Sequence, residues 1–212
     1  MSIFSKFKNW VQARRDRKAQ SLPDGHNDIV LLYKKGILAA CGTGQTITDI
    51  RAEITSRVNV PVKVSIPHGT YFISRGNHQN MVTRRKYEFV LSPMEKRNIT
   101  VPASCINASL PIPGDEDRFS GVAQVSDTLR RFMEAAEPED AMVIQAGVWA
   151  ITDGYSREQM KSTLRVRRSD SRSGGMFGGL GSNSHDAGSA ISDYHMDRAK
   201  KILTELKISN TL

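Results

Sequence analysis

The sequence has few cysteines and no long apolar run. Its 212 residues include two cysteines, a number too low in a chain of this length to indicate a disulfide framework. No stretch approaches the roughly 20 consecutive apolar residues that a transmembrane helix needs. The first 20 residues do not resemble a secretory signal, because charges interrupt their apolar positions throughout. We therefore expect a cytoplasmic protein.

Metal-binding patterns are missing as well. None of the histidines is paired with another histidine, a cysteine or a carboxylate at a recognised ligand spacing. We therefore expect neither a metal nor a cofactor. The histidines are His26, His68, His78, His185 and His195.

Positive charge is concentrated at the N-terminus. The formal net charge is +8. Residues 1–20 contain six Lys or Arg and one Asp, which gives 6 − 1 = +5 and leaves 8 − 5 = +3 for the rest of the chain. A nearly balanced body does not indicate a nucleic-acid-binding face, so we expect no nucleic-acid partner.

The basic N-terminal segment also carries an apolar stripe, and an amphipathic helix is predicted within residues 1–22. One interpretation is that residues 2–19 bind an anionic membrane surface or a partner protein, which would make the protein membrane-peripheral. The other is that the helix packs on its own domain. The residues of the stripe are Ile3, Phe4, Phe7, Trp10 and Val11.

Residues 28–212 are predicted to form one domain of the α+β class. Short apolar and alternating runs, separated by Pro, Gly and Asn, predict a β-rich, sandwich- or barrel-like part over residues 28–110. Apolar residues at helical spacing predict helices over residues 124–212 that pack against it. Composition predicts a loop over residues 111–121 and a flexible Gly/Ser loop over residues 169–190.

A glycine-rich stretch at residues 41–45 has the sequence CGTGQ. It lacks the Lys-Ser or Lys-Thr pair of a phosphate-binding Walker motif. The pattern is typical of a turn between two strands. Cys41 is then predicted to be a small, buried apolar residue.

The most informative stretch is residues 141–151, where every residue except Gln145 is apolar or glycine. A helix of this composition must be largely buried. An unpaired primary amide in such a place costs about 1–3 kcal/mol. Gln145 therefore either forms internal hydrogen bonds or has reacted with a thiol. Cys105, at the end of a predicted strand, could supply that thiol by displacing ammonia to form a thioester.

The motifs around these two residues resemble the internal thioester domains of Gram-positive surface adhesins. Residues 104–107 (SCIN) and 144–149 (IQAGVW) carry the resemblance, and residues 150–153 (AITD) continue it. In that family the Cys and Gln are cross-linked, and a nucleophile on the target attacks the carbonyl carbon. The resemblance implies a Cys105–Gln145 thioester that captures an amine of a protein or a small molecule, by one acylation rather than by enzymatic turnover.

Three neighbouring residues have candidate roles. Trp149 follows Gln145 by four residues, so both lie on one face of a helix, where Trp149 could shield the thioester from water or serve as an ordinary core residue. Asn107 and Asp153 are near the pair in sequence and could orient the incoming nucleophile.

Two alternative functions remain open. In a cysteine hydrolase, Cys105 would be the nucleophile, His185 or His195 the base, and Gln145 an oxyanion-hole donor. In a non-covalent structural or protein-interaction module, Cys105 would pack in the core and Gln145 would satisfy a backbone group.

Overall fold

The computed structural model describes residues 3–23, 25–163, 165–167 and 186–212. It confirms an α+β fold in which a β-rich N-terminal part packs with C-terminal helices. In chain order the elements are α1 (Ile3–Gln20), α2 (Ile29–Lys34), β1 (Leu38–Thr46), β2 (Asp49–Ser56), β3 (Val62–Ile66), β4 (Thr70–Ser74), β5 (Asn80–Thr83), β6 (Tyr87–Leu91), β7 (Lys96–Ile106), β8 (Arg118–Gln124), α3 (Asp127–Ala135), α4 (Ala141–Thr152), α5 (Arg157–Thr163), β9 (Arg165–Arg167), β10 (Asp186–Ser189) and α6 (Asp193–Glu205).

Six of the strands form a closed antiparallel barrel. Their spatial order is β1, β2, β7, β5, β4, β8, and the pairing of β8 with β1 closes the barrel. Strands β3 and β6 form a separate two-stranded sheet, as do β9 and β10. The inward-facing side chains of β1 and β2 are buried in alternation, so the barrel interior is part of the hydrophobic core.

The last barrel strand shortens the predicted loop over residues 111–121, because residues 111–117 form a loop whereas residues 118–121 belong to β8. Strand β8 begins at Arg118 and pairs with β1 on one side and β4 on the other. Phe119 and Val122 are buried in the core. Gly121 interrupts the apolar alternation and has a φ of +85°, a conformation that glycine adopts at little cost. Pairing on both edges therefore outweighs a composition that is typical of loops.

The glycine-rich stretch at residues 41–45 is also not a turn. It lies inside β1, and its glycines are needed because neighbouring backbone approaches closely. A Cβ at Gly42 would lie 2.7 Å from the backbone oxygen of Arg51, and one at Gly44 would lie 2.4 Å from the oxygen of Gly114. Cys41 is only partly buried, because its side chain points to the outer face of the barrel.

The first element of the predicted β-rich region is a short helix. Residues 29–34 form α2, and the Oδ1 atom of Asp28 accepts hydrogen bonds from the N–H groups of Val30 (2.7 Å) and Leu31 (3.2 Å). This side-chain cap favours a helix over a strand at the start of an apolar run. Ile29 and Leu32 of this helix are fully buried.

The predicted helices after residue 124 are present. Ser126 caps α3 by accepting a hydrogen bond from the N–H of Leu129, and Asp140 caps α4 through Met142 N–H. Helix α4 packs against β7, α3 and α6, and its residues 143–150 are all buried. Residues 169–185 of the predicted flexible loop lie outside the described residues, whereas Asp186–Ser189 form β10. Among the described helices, none combines the length and the apolarity that crossing a membrane requires.

A single methyl group tests how tightly α3 and α4 pack. A Cβ at Gly147 would lie 2.0 Å from Cζ of Phe132. Replacing a helical glycine by alanine normally adds up to about 1 kcal/mol of stability, but here overpacking should reverse the sign. We expect Gly147→Ala to lower the free energy of unfolding by about 1–3 kcal/mol, as measured by urea denaturation.

The matched control for this steric prediction is Phe132→Leu, which removes the ring that the new methyl would meet. In that background, Gly147→Ala should cost clearly less, because the two substitutions are coupled through one contact. Equal costs in both backgrounds would contradict the steric explanation.

Candidate functional site: the junction of strand β7 and helix α4

The candidate site forms because the end of β7 has a strand neighbour on one side only. Strand β7 pairs with β2 as far as Pro102 and with β5 as far as Ile106. The backbone groups of Cys105 that face away from β5 therefore extend beyond the end of β2. Helix α4 lies against this part of β7.

The side chain of Gln145 fills the place of the missing strand. Its Oε1 accepts a hydrogen bond from the N–H of Cys105 at 2.8 Å, and its Nε2 donates to the C=O of Cys105 at 2.9 Å. This exchange of two hydrogen bonds is the pattern that paired residues make in an antiparallel sheet. Cys105 is 0% exposed and Gln145 is 1% exposed. The two predicted site residues are thus in direct contact and shielded from bulk water.

The thiol of Cys105 lies in apolar surroundings. Its Sγ is 3.3 Å from Sδ of Met81 and 3.9 Å from the backbone oxygen of Ile47. Cys105 and Met81 are opposite each other across β7 and β5. Burial raises the pKa of the Cys105 thiol to about 12. The thiol is therefore protonated at neutral pH and must lose its proton as it reacts.

Trp149 lies one turn after Gln145 on the same helix and is completely buried. Its ring centroid is 6.0 Å from that of Tyr155. Among the described residues, no hydrogen-bond acceptor meets its Nε1. Trp149 is therefore a core residue, and its role as a shield for a thioester stays a prediction.

Asn107 and Asp153 hold the elements around the pair. The Oδ1 atom of Asp153 accepts a hydrogen bond from the N–H of Ala108 at 3.0 Å, which connects the end of α4 to the segment after β7. Asn107 is exposed, with a φ of +71°, and its Oδ1 accepts a hydrogen bond from Nδ2 of Asn80 at 3.0 Å. Both side chains position the end of β7, whereas their predicted contact with a nucleophile stays a prediction.

His195, one of the two histidines predicted as the base of a hydrolase, has a structural role. His195 caps α6: its Nδ1 accepts a hydrogen bond from the N–H of Ser192 at 3.0 Å, and its Nε2 is 3.8 Å from Oδ1 of Asp140. Within the described part of the chain, the hydrogen-bonding contacts of Cys105 include no histidine. His185 lies outside the described residues. The described residues also contain no group of three His, Cys, Asp or Glu that could hold a metal ion.

Two residues of the site, Arg84 and Met81, cannot be identified from a sequence pattern. The side chain of Arg84 lies along the same open edge of β7. Its Nε donates a hydrogen bond to the C=O of Ala103, and its Nη2 donates one to the C=O of Thr48. Burial lowers the pKa of this guanidinium. Met81 lies beside the thiol only because of the register between β5 and β7. Both contacts arise from strand pairing between distant segments.

The fold and site together define a six-stranded antiparallel barrel with a buried cysteine and glutamine in contact where a helix covers one strand end. No protein-family model, curated protein or solved structure matches the chain.

Proposed function

We propose that the protein is a covalent-binding domain whose Cys105 and Gln145 form an internal thioester. The observation that supports this proposal is the paired contact of the Gln145 amide with the backbone N–H and C=O of Cys105, in a site without bulk water. The captured group is an amine of a partner protein or a small molecule. Exclusion of water protects a reactive acyl bond from hydrolysis, and both residues are buried.

Formation of the bond requires that the thiol attack Cδ of Gln145. The Sγ–Cδ bond forms, the Cδ–Nε2 bond breaks, and ammonia leaves with the thiol proton. Negative charge develops on Oε1 during the attack. The N–H of Cys105, already 2.8 Å from Oε1, is placed to stabilise that charge as an oxyanion-hole donor does.

Capture reverses the roles of sulfur and nitrogen. The nitrogen of the incoming amine bonds to Cδ, the Cδ–Sγ bond breaks, and a proton from the amine passes to the sulfur. A thiol with a raised pKa is a poor leaving group. Burial of Cys105 would therefore keep the thioester slow towards amines that do not bind to the domain first.

Intact mass tests this proposal. Protein never exposed to amines should be one ammonia lighter than its sequence requires, and Cys105→Ala or Gln145→Ala should remove the deficit. The control variant is Cys41→Ala, which should keep it. A full sequence mass in the native protein would overturn the thioester.

A non-covalent role is the second candidate, because the Gln145 amide already has two backbone partners. Each of those hydrogen bonds satisfies a buried backbone group of Cys105, so the side chain can serve to join α4 to the barrel. In that case Gln145→Ala should cost about 1–3 kcal/mol of stability for each group left unpaired, and the native mass should show no deficit.

We further propose that α1 attaches the protein to an anionic membrane surface in the cytoplasm. The C-terminal half of α1 is docked on the domain, since Gln12 donates to the C=O of Arg57 and Asp16 accepts from the N–H of Asn59. The N-terminal half presents its aromatic residues to solvent. The two cysteines are unpaired, as is usual in a reducing compartment. The exposed aromatic residues are Phe4 (80%), Phe7 (63%) and Trp10 (53%).

A further inference from the structure

A groove of about 380 Å³ lies on the outer face of the barrel, over strands β7, β2, β1 and β8. It is separate from the buried Cys105–Gln145 pair, and nothing in the proposed function uses it. Its lining combines small side chains at the centre with arginines at the margins. The residues that matter are Cys41, Thr43, Arg51, Arg75, Arg118 and Ser120.

Strand register explains this arrangement. Thr43 of β1 is opposite Arg51 of β2 on one side and opposite Arg118 of β8 on the other. Because neighbouring strands are about 4.8 Å apart, the two arginines leave the sheet on either side of Thr43, roughly 10 Å from each other. In the next row of the sheet, Cys41 is opposite Ser120 on one side and opposite Glu53 on the other. Short side chains therefore lie between the arginines, at Thr43, and beside them, at Cys41 and Ser120.

A third arginine lies beside them. The backbone N–H of Arg75 donates to the C=O of Arg118 at 2.9 Å, and both residues line the groove. Among the described residues, no carboxylate is within ion-pairing distance of these three guanidinium groups. Glu53, the acidic residue of the groove, already pairs with Lys96 at 2.6 Å.

Two further acidic residues lie outside the groove. Glu116 and Asp117 line an adjacent hollow that also includes Arg75 and Arg118. Asp117 is engaged locally, because its Oδ2 accepts a hydrogen bond from the N–H of Gly114 at 2.8 Å. Three cations close together therefore remain without a carboxylate partner, an arrangement that a bound anion would stabilise.

We propose that this groove binds a small molecule with a diphosphate or similar dianionic group. Guanidinium groups form paired, charge-assisted hydrogen bonds with phosphate oxygens, and Arg51 and Arg118 approach from opposite sides. The hydroxyl group of Thr43 supplies a neutral donor between them, and that of Ser120 supplies a second one in the neighbouring row of the sheet. The volume falls within the range of roughly 300–1,000 Å³ that is usual for small-ligand sites.

Calorimetric titration of the full-length protein with inorganic pyrophosphate at low salt tests the proposal. We expect saturable binding, which Arg51→Gln and Arg118→Gln should each weaken about tenfold or more, because each removes charge-assisted hydrogen bonds to the phosphate oxygens. Arg85→Gln is the matched control: it removes one positive charge from an exposed position outside the groove, and should leave the Kd within about twofold.

The absence of saturable binding, or an equal loss with Arg85→Gln, would overturn the proposal. Cys41 offers a second measurement that needs no substitution in the groove. It is partly exposed within the groove, whereas Cys105 is buried, so alkylation of the native protein reports on Cys41. Saturating pyrophosphate should slow this alkylation about tenfold. An unchanged rate would place the ligand elsewhere and would also overturn the proposal.

Discussion

Replacing Cys105 by alanine should abolish covalent labelling of the protein by an amine probe such as a biotinylated alkylamine. The reason is that the labelled atom, Cδ of Gln145, is activated only while it is bonded to sulfur. Gln145→Glu should be equally inactive, because a carboxylate does not react unaided with a thiol. The measurement is the fraction of intact protein that gains the mass of the probe.

Cys105→Ala is the sharper of these two variants for a structural reason. Gln145 is hydrogen-bonded to the backbone of residue 105, so alanine removes the sulfur and keeps both hydrogen bonds. Gln145→Glu, by contrast, replaces the Nε2 donor with an acceptor facing a carbonyl oxygen, which should also destabilise the fold. A thermal melt of each variant separates loss of labelling from loss of structure.

Cys41→Ala supplies the matched control for labelling, since it removes the other cysteine and leaves the site untouched. It should label like the wild-type protein. Labelling that persists in Cys105→Ala, or that disappears in Cys41→Ala, would contradict the assignment of the reactive bond. A folded wild-type protein that is not labelled and has its full sequence mass would favour the non-covalent role of Gln145.

The second large effect concerns α1. Serine at Phe4, Phe7 and Trp10 together should abolish sedimentation with vesicles of phosphatidylcholine and phosphatidylserine. Full burial of each aromatic side chain is worth on the order of 1.5–3 kcal/mol, and each cation near the surface adds about 1 kcal/mol. These terms must offset the entropic cost of ordering, so binding of the wild-type protein should be modest and should weaken with salt.

The docked half of α1 makes this triple variant preferable to deletion of the whole helix. Asp16 accepts hydrogen bonds from both the backbone N–H and the side chain of Asn59, and truncation would remove these contacts. Fluorescence gives an independent readout, because Trp10 is exposed and Trp149, the other tryptophan, is buried. Trp10 emission should shift to shorter wavelength when vesicles are added.

The control for vesicle binding is a second triple variant that places serine at three exposed apolar positions outside α1, and it should sediment like the wild-type protein. Those positions are Val90 (54%), Met94 (54%) and Tyr194 (67%). Equal loss of vesicle binding in both triple variants would contradict the proposal that α1 binds the membrane surface. If the wild-type protein does not sediment at low salt, α1 serves a protein partner or the domain itself.

Much of the local structure is predictable because its causes are local. The N-caps Ser126 and Asp140 lie next to the helices that they start, and the apolar run around Gln145 predicts both a helix and its burial. The basic, aromatic stripe of α1 is likewise present within one short segment. Contacts of this kind depend on residues a few positions apart, so a sequence pattern is sufficient to predict them.

The errors occur where pairing between distant segments outweighs local composition. Residues 41–45 resemble a turn, and yet close approach of the β2 backbone makes glycine the residue that fits in β1. Arg118 and Phe119 belong to a segment that resembles a loop, and yet β1 and β4 are present on both sides of it to accept a strand. Propensity cannot anticipate a neighbour that only the closed barrel supplies.

The sequence by itself determined that a buried glutamine needs a partner and that Cys105 was a candidate. Only the tertiary structure decided that the partner is the backbone of Cys105, because the length of β7 beyond β2 is a property of the assembled barrel. The groove on the outer face of the barrel also depends on how the strands pair. Arg51 and Arg118 are far apart in the chain and are brought to either side of Thr43 by strand register, which depends on the pairing of whole strands rather than on any one segment.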